Sequence, residues 1–320
     1  MMSEAQHEQK KPLVSIVAPF FNEEAGVGEF FRAIKAVAAS VPHCRFEVIC
    51  VDDGSKDNTL EKLKEPHGID TVVVELSRNF GKEAALTAGL DVAAGDAVIP
   101  IDSDLQDPPE LIPRMIELWA QGYDVVLAKR ADRSVDSASK RISAVMFYKL
   151  YNKIANLRIP ENVGDYRLMT RQVVEAVKRL PEQQRFMKGL FAWAGFRQTT
   201  IEFHRQCRNT GSTSWNKWRL WNFALEGLTS FSTLPLRVWT YVGSLVAAFS
   251  LLYGIALVFR VLVHGIDVPG YASTIVAILF LGGMQLIGIG VLGEYLGRTY
   301  MESKRRPVYL IRTLERFDSA

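Results

Sequence analysis

AVIPIDSDLQDPP, residues Ala97 to Pro109, passes from a short apolar run into an acidic cluster and then into two prolines. The apolar run, Ala97 to Ile101, reads as a buried strand ended by turn formers. Asp102 and Asp104 lie one residue apart, so on a continuing strand their side chains would point to opposite faces. At a strand-to-loop turn they can converge on one hard divalent cation. Mg²⁺ and Mn²⁺ take oxygen ligands and often share them with substrate phosphates. A second reading stands beside this one: Pro108 and Pro109 suit a helix start with Asp107 as its cap, while Asp102 and Asp104 face the ligand.

Outward from this stretch, strand and helix patterns alternate. Val14 to Ala18 is a β-branched run ending at Pro19, Glu29 to Ala39 has helical spacing, and Phe46 to Val51 is a second strand stopped by Asp52, Asp53, Gly54 and Ser55. Thr59 to Lys64 starts a helix, with Asp57 or Asn58 as its cap. Thr71 to Leu76 is a third strand, Lys82 to Ala94 an alanine-rich helix, Pro109 to Gln121 a helix and Asp124 to Ala128 another strand. This alternation predicts an α/β domain with a mostly parallel sheet covered on both faces. Ligands in such sheets bind outside the carboxyl ends of the strands, where Asp52, Asp53, Asp102 and Asp104 fall.

The loops at those strand ends each have two readings. A carboxylate at Asp52 or Asp53 can accept a hydrogen bond from a base N–H or a ribose hydroxyl; equally, Asp53-Gly54 can be a turn that only ends the strand. Ser77 to Lys82, SRNFGK, runs from strand to helix, with Gly81 free to take an unusual backbone angle and Arg78 and Lys82 adding charge beside a helix N-terminus. The glycine spacing of a Walker loop is missing, so this is either an anion-facing turn of another kind or a loop with solvated bases.

The 320 residues exceed one ordinary domain, and the apolar content, 48% of the whole, is unevenly placed. Val238 to Phe259 and Tyr271 to Gly293 contain no charged residue, and each is long enough to cross a hydrocarbon core; the alternative is a buried helical hairpin. Arg219 and Arg237 precede the first stretch, and Arg298, Lys304, Arg305, Arg306 and Arg312 follow the second. That asymmetry puts the N-terminal domain and the C-terminal tail in the cytoplasm. The expected organisation is a polar tail 1–11, a catalytic domain 12–212, interfacial helices 213–236, transmembrane helices 237–260 and 271–296, and a basic tail 297–320. Net charge is +3, too mild for nucleic acid as partner. Cys44, Cys50 and Cys207 show no disulfide or metal spacing, and MMSEAQHEQKK lacks the apolar core of a signal peptide.

Three segments read as membrane-facing or, alternatively, as ordinary protein surface and core. Lys140 to Leu157 is basic and amphipathic; Trp215, Trp218, Trp221, Leu225 and Leu228 form a stripe before the first span; Arg205 and Arg208 lie just ahead of it. Arginines at headgroup depth suit a lipid phosphate.

VDDGSKDNT, RNFGKEAALTAGL, DSDLQDPPE, GYDVVLAKR, GDYRLM, RFMKGLFAWAGF and GEYLGRTYMESKRRP occur in this order. Together they resemble the polyprenyl-phosphate glycosyltransferases of glycosyltransferase family 2, bactoprenol glucosyltransferases above all, with dolichol-phosphate mannose synthases as more distant relatives. The resemblance covers roughly residues 12 to 310. It implies a GT-A (Rossmann-like) catalytic domain and a division of labour. Pro19, Phe20, Glu23, Asp52 and Asp53 would hold the nucleoside, and Lys82 would lie near the donor. Asp102, Asp104 and Gln106 would hold Mg²⁺ or Mn²⁺ against the diphosphate. Asp165 would contact the sugar or reaction centre, and Arg130, Arg133, Arg205 and Arg208 would take the acceptor phosphate, with Asp104, Asp165 and Arg205 closest to the chemistry. Gln184, Arg185 and Lys188 stand where processive members carry Gln-x-x-Arg-Trp, which argues against a polysaccharide synthase.

The implied reaction is inverting transfer of a hexose, glucose from UDP-glucose as first choice, to undecaprenyl or another polyprenyl phosphate at the cytoplasmic face of the bacterial inner membrane. The alternatives are a mannose or aminosugar transfer of the same kind, or a membrane-anchored scaffold without activity. An ionised phosphate acceptor needs no general base, so Asp165 is expected to orient rather than deprotonate. Family members of this shape form tetramers, and Gly282, Gly283, Gly288 and Gly290 would allow close helix packing in a homo-oligomer.

Overall fold

The computed structural model describes residues 11–131, 163–180, 182, 187–203, 234–264 and 270–319. Two compact units make up the chain: Met1–Lys149 with Leu157–Trp215 and Arg306–Ala320, and Leu150–Asn156 with Asn216–Arg305.

The first unit is built on β1 (Leu13–Phe20), α1 (Val27–Ser40), β2 (Arg45–Asp52), α2 (Thr59–Leu63), β3 (Asp70–Leu76), α3 (Lys82–Val92) and β4 (Ala97–Pro100). A 3₁₀ turn at Pro109–Leu111 leads into α4 (Ile112–Ala120), then β5 (Val125–Arg130), β6 (Val163–Thr170), α5 (Arg171–Lys178), α6 (Met187–Trp193) and β7 (Gln198–Phe203). The strands form one sheet in the order β7-β5-β6-β4-β1-β2-β3-β8, where β8 is Ile311–Phe317. β1 pairs in parallel with β2 and β4, β2 with β3, and β5 with β7; β6 runs antiparallel to β4 and β5, and β8 antiparallel to β3. The sheet is therefore mostly parallel, as the alternation of patterns predicts, and the fold is GT-A-like.

The reason is visible strand by strand. β2 is buried at every position after Arg45, and β3 at every position after Asp70, as a strand covered on both faces must be. Phe30 and Ile34 of α1, Leu63 of α2 and Leu86 and Leu90 of α3 are fully buried, with Ile16 and Ile49 in the sheet. Each such side chain contributes about 1.5–3 kcal/mol of burial. α3 lies against β1 and β2 so closely that a Cβ at Gly89 would overlap Val17.

Two features depart from the expectation. Asp107 does not cap the helix start: the turn at Pro109 has no side-chain cap, and Asp107 is buried, 3.7 Å from Arg130 Nη2. The tail residues Ile311–Phe317, expected only as a basic extension, add strand β8 to the edge of the sheet at β3. Its exposure alternates, with Thr313, Glu315 and Phe317 the less exposed, as an edge strand with one wet face requires. Lys64 pairs with Glu315 at 2.7 Å, and Tyr309 donates to Asp91 at 2.6 Å.

The second unit contains two long helices, α7 (Leu234–His264) and α8 (Tyr271–Ser303). Tyr241, Leu245, Phe249, Phe259 and Leu262 of α7 are exposed, as are Phe280, Leu286, Ile289 and Leu296 of α8. Of the glycines expected to ease helix packing, a Cβ at Gly288 would meet the Trp239 ring at 3.8 Å, while a Cβ at Gly282, Gly283 or Gly290 would meet nothing within 4 Å among the described residues. Among the described residues, one stretch, Phe280–Ser303, is long and apolar enough to cross a membrane; Tyr241–Ala256 is a shorter apolar stretch. By that measure one span stands where the sequence led to the expectation of two.

Candidate active site

At the carboxyl ends of β1, β2 and β4 the chain opens a cavity of about 250 Å³. Pro19, Phe20, Glu23, Asp53, Lys82, Asp102 and Asp104 line it, together with Phe21, Asn79, Gly81 and Ser103. Seven of the candidate site residues named from the sequence thus line one cavity, with Gly81 of the SRNFGK turn beside them.

The β1 end supplies the first wall. Phe20 is 1% exposed and packs edge-on against Phe30, ring centroids 5.3 Å apart, so its ring belongs largely to the core. Phe21, passed over in the sequence, is 43% exposed and is the aromatic side chain open at this wall. The loop beyond is stitched to the β2 loop: Asn22 N–H donates to Ser55 Oγ at 3.0 Å, Lys56 N–H to Asn22 Oδ1 at 2.8 Å, and Glu23 N–H to Thr59 Oγ1 at 2.9 Å.

The β2 end sets Asp52 and Asp53 side by side in different work. Asp53 accepts from Phe80 N–H at 2.7 Å and from Gly81 N–H at 2.9 Å, so both of its oxygens fix the loop before α3. Gly54 sits at φ 71° with Arg78 backbone 2.6 Å from where a Cβ would be, and Gly81 at φ 96°; only glycine makes that close approach and that angle without strain. Asp52 accepts from Ser55 N–H at 3.1 Å through Oδ2, and its other oxygen is buried with no hydrogen-bond partner. Burial pushes both carboxyls above their ordinary value, against the hydrogen bonds that pull them down.

The β4 end carries the acidic turn. Leu105 adopts φ 52°, and its N–H donates to the Asp102 carbonyl at 3.3 Å. This left-handed residue turns the chain so that Asp102 and Asp104 line the same cavity. Gln106 N–H donates to Asp104 Oδ1 at 3.2 Å, while the Gln106 side chain is not part of the cavity wall and its Nε2 is buried without a partner.

Lys82, the first residue of α3, ties this turn to β6. Its Nζ lies 2.7 Å from Asp102 Oδ1 and 3.2 Å from Asp165 Oδ2. Burial works to lower the Lys82 ammonium's pKa, but the attraction of the two carboxylates outweighs it and holds the group above its usual range. Behind Asp165, Arg167 is buried, donates to the Gly164 carbonyl at 2.6 Å and lies 4.2 Å over the Phe191 ring. Burial lowers its guanidinium to about 10, against the pull of Asp165 and Glu83. The signal for Arg167 in the sequence is its place in GDYRLM, a cation two residues from the candidate carboxylate Asp165. Tyr166 hydroxyl donates to the Pro108 carbonyl at 2.9 Å, fastening β6 to the acidic turn.

Arg130 engages Asp107 as above and is not part of the cavity wall. Arg133, Arg205 and Arg208 lie outside the described residues, as do Gln184, Arg185, Cys207, the Lys140–Leu157 segment and the tryptophan stripe.

The donor set suits a hard cation. Two carboxylates open to one cavity, and a positive charge is already drawn to one of them. Among the described residues no group of three His, Cys, Asp or Glu side chains converges; hard cations such as Mg²⁺ are commonly held by one or two carboxylates, with substrate phosphates and water as the other ligands.

The glycosyl transferase family 2 profile matches residues 15–178, and a profile described as the GtrB C-terminal hairpin matches residues 234–299. An uncharacterized glycosyltransferase of Synechocystis is 53% identical, covering 94% of this chain and 95% of its own. A bactoprenol glucosyl transferase of Shigella phage SfV is 54% identical, covering 93% and 98%. A prophage bactoprenol glucosyl transferase homolog of Escherichia coli K12 is 52% identical, covering 95% and 99%.

Proposed function

The chain belongs to glycosyltransferase family 2 and is a glycosyltransferase of the bactoprenol glucosyltransferase-like kind, and from that premise we propose that it transfers glucose from UDP-glucose to undecaprenyl or another polyprenyl phosphate. The observation that carries this reading is the Asp102–Lys82–Asp165 bridge at the rim of a strand-end cavity that Asp104 also lines. It sets alternating charges where an anionic donor and an anionic acceptor would have to meet.

In this reading the nucleoside lies over Pro19 and Phe21, and the unpartnered oxygen of Asp52, buried behind the cavity wall, becomes the acceptor for a base N–H only as the nucleoside seats. Asp102 and Asp104 would hold Mg²⁺ or Mn²⁺, which when bound offsets charge on the departing diphosphate. Lys82 balances Asp102 and Asp165 beside it. A phosphate oxygen of the acceptor forms the new bond to C1 from the face opposite the diphosphate. The C1–O bond to the donor breaks, and its electron pair leaves with the nucleoside diphosphate. The anomeric centre inverts. The acceptor phosphate is largely ionised near neutral pH, so no proton need be removed. Asp165, held by Lys82 and backed by Arg167, orients the sugar.

The exposed apolar surfaces of α7 and α8, with the match to a C-terminal hairpin profile, support a two-helix membrane anchor at the bacterial inner membrane. The catalytic domain and C-terminal residues would then lie on the cytoplasmic side. Arg130, Arg133, Arg205 and Arg208 remain the candidates for the acceptor phosphate.

The test is transfer of radiolabelled sugar from a panel of UDP- and GDP-sugars to undecaprenyl phosphate in detergent, with Mg²⁺, Mn²⁺ or chelator. A chloroform-extractable product from UDP-glucose, lost with chelator, is expected. Product from another donor alone would reassign the sugar, and lipid product undiminished by chelator would remove the metal from the reading.

A further inference from the structure

β3 leaves the sheet into the loop whose Asn79 and Gly81 line the cavity, and the C-terminal strand holds it at the point of departure. Ser77 N–H donates to the Leu310 carbonyl at 2.9 Å. The pairing then slips: Glu75 stands opposite Thr313 but Leu76 opposite Ile311, which makes Arg312 the extra residue of a bulge. Bulges re-aim a side chain and gather beside active sites. Here the Arg312 guanidinium reaches Glu75 Oε1 at 2.8 Å and the Ser77 carbonyl at 3.3 Å. Thr313 hydroxyl donates to Glu75 Oε2 at 2.9 Å.

Glu75 is buried, and on its other side it stands opposite Asp52 in the β2–β3 register. Two carboxylates on neighbouring buried strands repel, and the repulsion is felt at Asp52. Arg312 is the cation at Glu75, and the same side chain grips the first residue of the loop.

We infer that Arg312 is a positioning residue for the nucleoside end of the cavity, acting through Glu75 and the Ser77–Gly81 loop. The inference rests on the reading of that cavity as the nucleotide-sugar site. Without Arg312, Glu75 keeps only the Thr313 hydroxyl among the hydrogen bonds that β8 gives it, its charge bears on Asp52 with no cation in direct contact and only the weaker pull of Lys64 against it, and the Ser77 carbonyl loses a donor. The strand's general grip on the sheet is left to its backbone bonds, to Thr313 and to the Lys64–Glu315 pair.

The experiment is calorimetric titration of UDP into the purified full chain in detergent, with donor kinetics and thermal unfolding alongside. Arg312→Met is expected to weaken UDP binding about tenfold. At saturating donor, turnover should stay within about twofold of wild type. Arg312→Lys, which keeps the charge but not the fork, should recover part of the affinity. Adding Glu75→Gln to Arg312→Met should recover most of it, because the uncompensated charge is gone. Glu315→Gln, which breaks the Lys64–Glu315 pair and so serves as a control for the strand's stability, should lower the melting temperature and leave UDP affinity alone. A lowered melting temperature for Arg312→Met with wild-type UDP affinity would overturn the inference, as would a double variant that binds no better than the single one. If none of UDP, GDP, CDP and dTDP binds the wild type, the donor-site reading itself falls and this inference falls with it.

Discussion

Asp52-Asp53 and Asp102-Asp104 look alike in the sequence: each is a pair of carboxylates at the end of a buried strand, ahead of a turn. In the folded chain they do opposite things. The first pair is turned inward, where Asp53 gives both oxygens to backbone amides of Phe80 and Gly81 and Asp52 is buried. The second pair is turned outward, to the cavity and to Lys82. The difference comes from the backbone that follows. After β2, Gly54 lets the loop of Arg78 and Asn79 close over the strand end; after β4, Leu105 in the left-handed region swings the carboxylates into the open. Adjacent acidic residues are therefore not one kind of signal: Asp53 braces the wall, Asp52 is buried beside it with one oxygen unpartnered, and Asp102 and Asp104 open to the cavity.

The sharpest way to break that contrast is to remove each pair in turn. Asp104→Ala should lower kcat/KM for lipid glycosylation about a thousandfold, as loss of about 4 kcal/mol of transition-state stabilisation would. Its melting temperature should stay near wild type, since Asp104 lines the cavity rather than the core. Near-normal turnover with the radiolabelled donor would mean that the outward pair is not the metal site.

Lys82→Gln comes next. It leaves Asp102 and Asp165 facing each other without the ammonium between them. A fall of about a hundredfold in kcat/KM is expected, in the range seen when one stabilising donor is removed from an active site. Unchanged kcat/KM in the same transfer assay would show the bridge to be a resting contact only.

Asp53→Ala should behave differently in kind. It strips two amides of their acceptor and should cost about 2–4 kcal/mol of stability. Donor KM should rise because the loop that carries Asn79 and Gly81 is released. A loss of turnover with neither a lower melting temperature nor a higher donor KM would place Asp53 with the outward pair instead.

Much of this was legible in the chain, and what was not has physical reasons. The β-branched runs and the alternation of strand and helix dictate a mostly parallel sheet, and strand ends of such sheets gather ligand residues, so the place of the candidate cavity is legible in the sequence. Strand β8 was hidden because IRTLERF has no apolar run; its strand character comes from pairing with β3, which a local pattern cannot reveal. Phe21 stands open beside Phe20 at the cavity because β1 extends through Phe20, whose ring turns largely into the core while the next side chain is exposed. Asp107 was given to a helix cap because proline follows it, whereas its partner Arg130 comes from a distant strand. The left-handed Leu105, on which the outward turn depends, carries no composition signal at all.

The smallest effect, and the finest test of the inward pair, belongs to Asp52→Asn. Burial raises the Asp52 carboxyl above its ordinary 3.8, with the Glu75 charge adding to the rise and Ser55 hydrogen bonds opposing it. A folded state with the higher pKa binds more protons between the two values, so its stability falls as pH rises through that window and stays reduced above it. The asparagine variant has no charge to bury. It should therefore melt higher than wild type at neutral pH, and the gap should close as the pH drops below about 4, where wild type is protonated in both states. The same variant should bind UDP a few-fold more weakly, because a neutral amide is a poorer acceptor than a carboxylate for a base N–H. Melting curves of both proteins from about pH 3 to about pH 7.5, each with and without UDP, separate the two effects. A constant offset across pH would mean that Asp52 is not the buried charge the strand-end geometry implies. A stability gain with unchanged UDP affinity would leave Asp52, like Asp53, in the wall and not in the site.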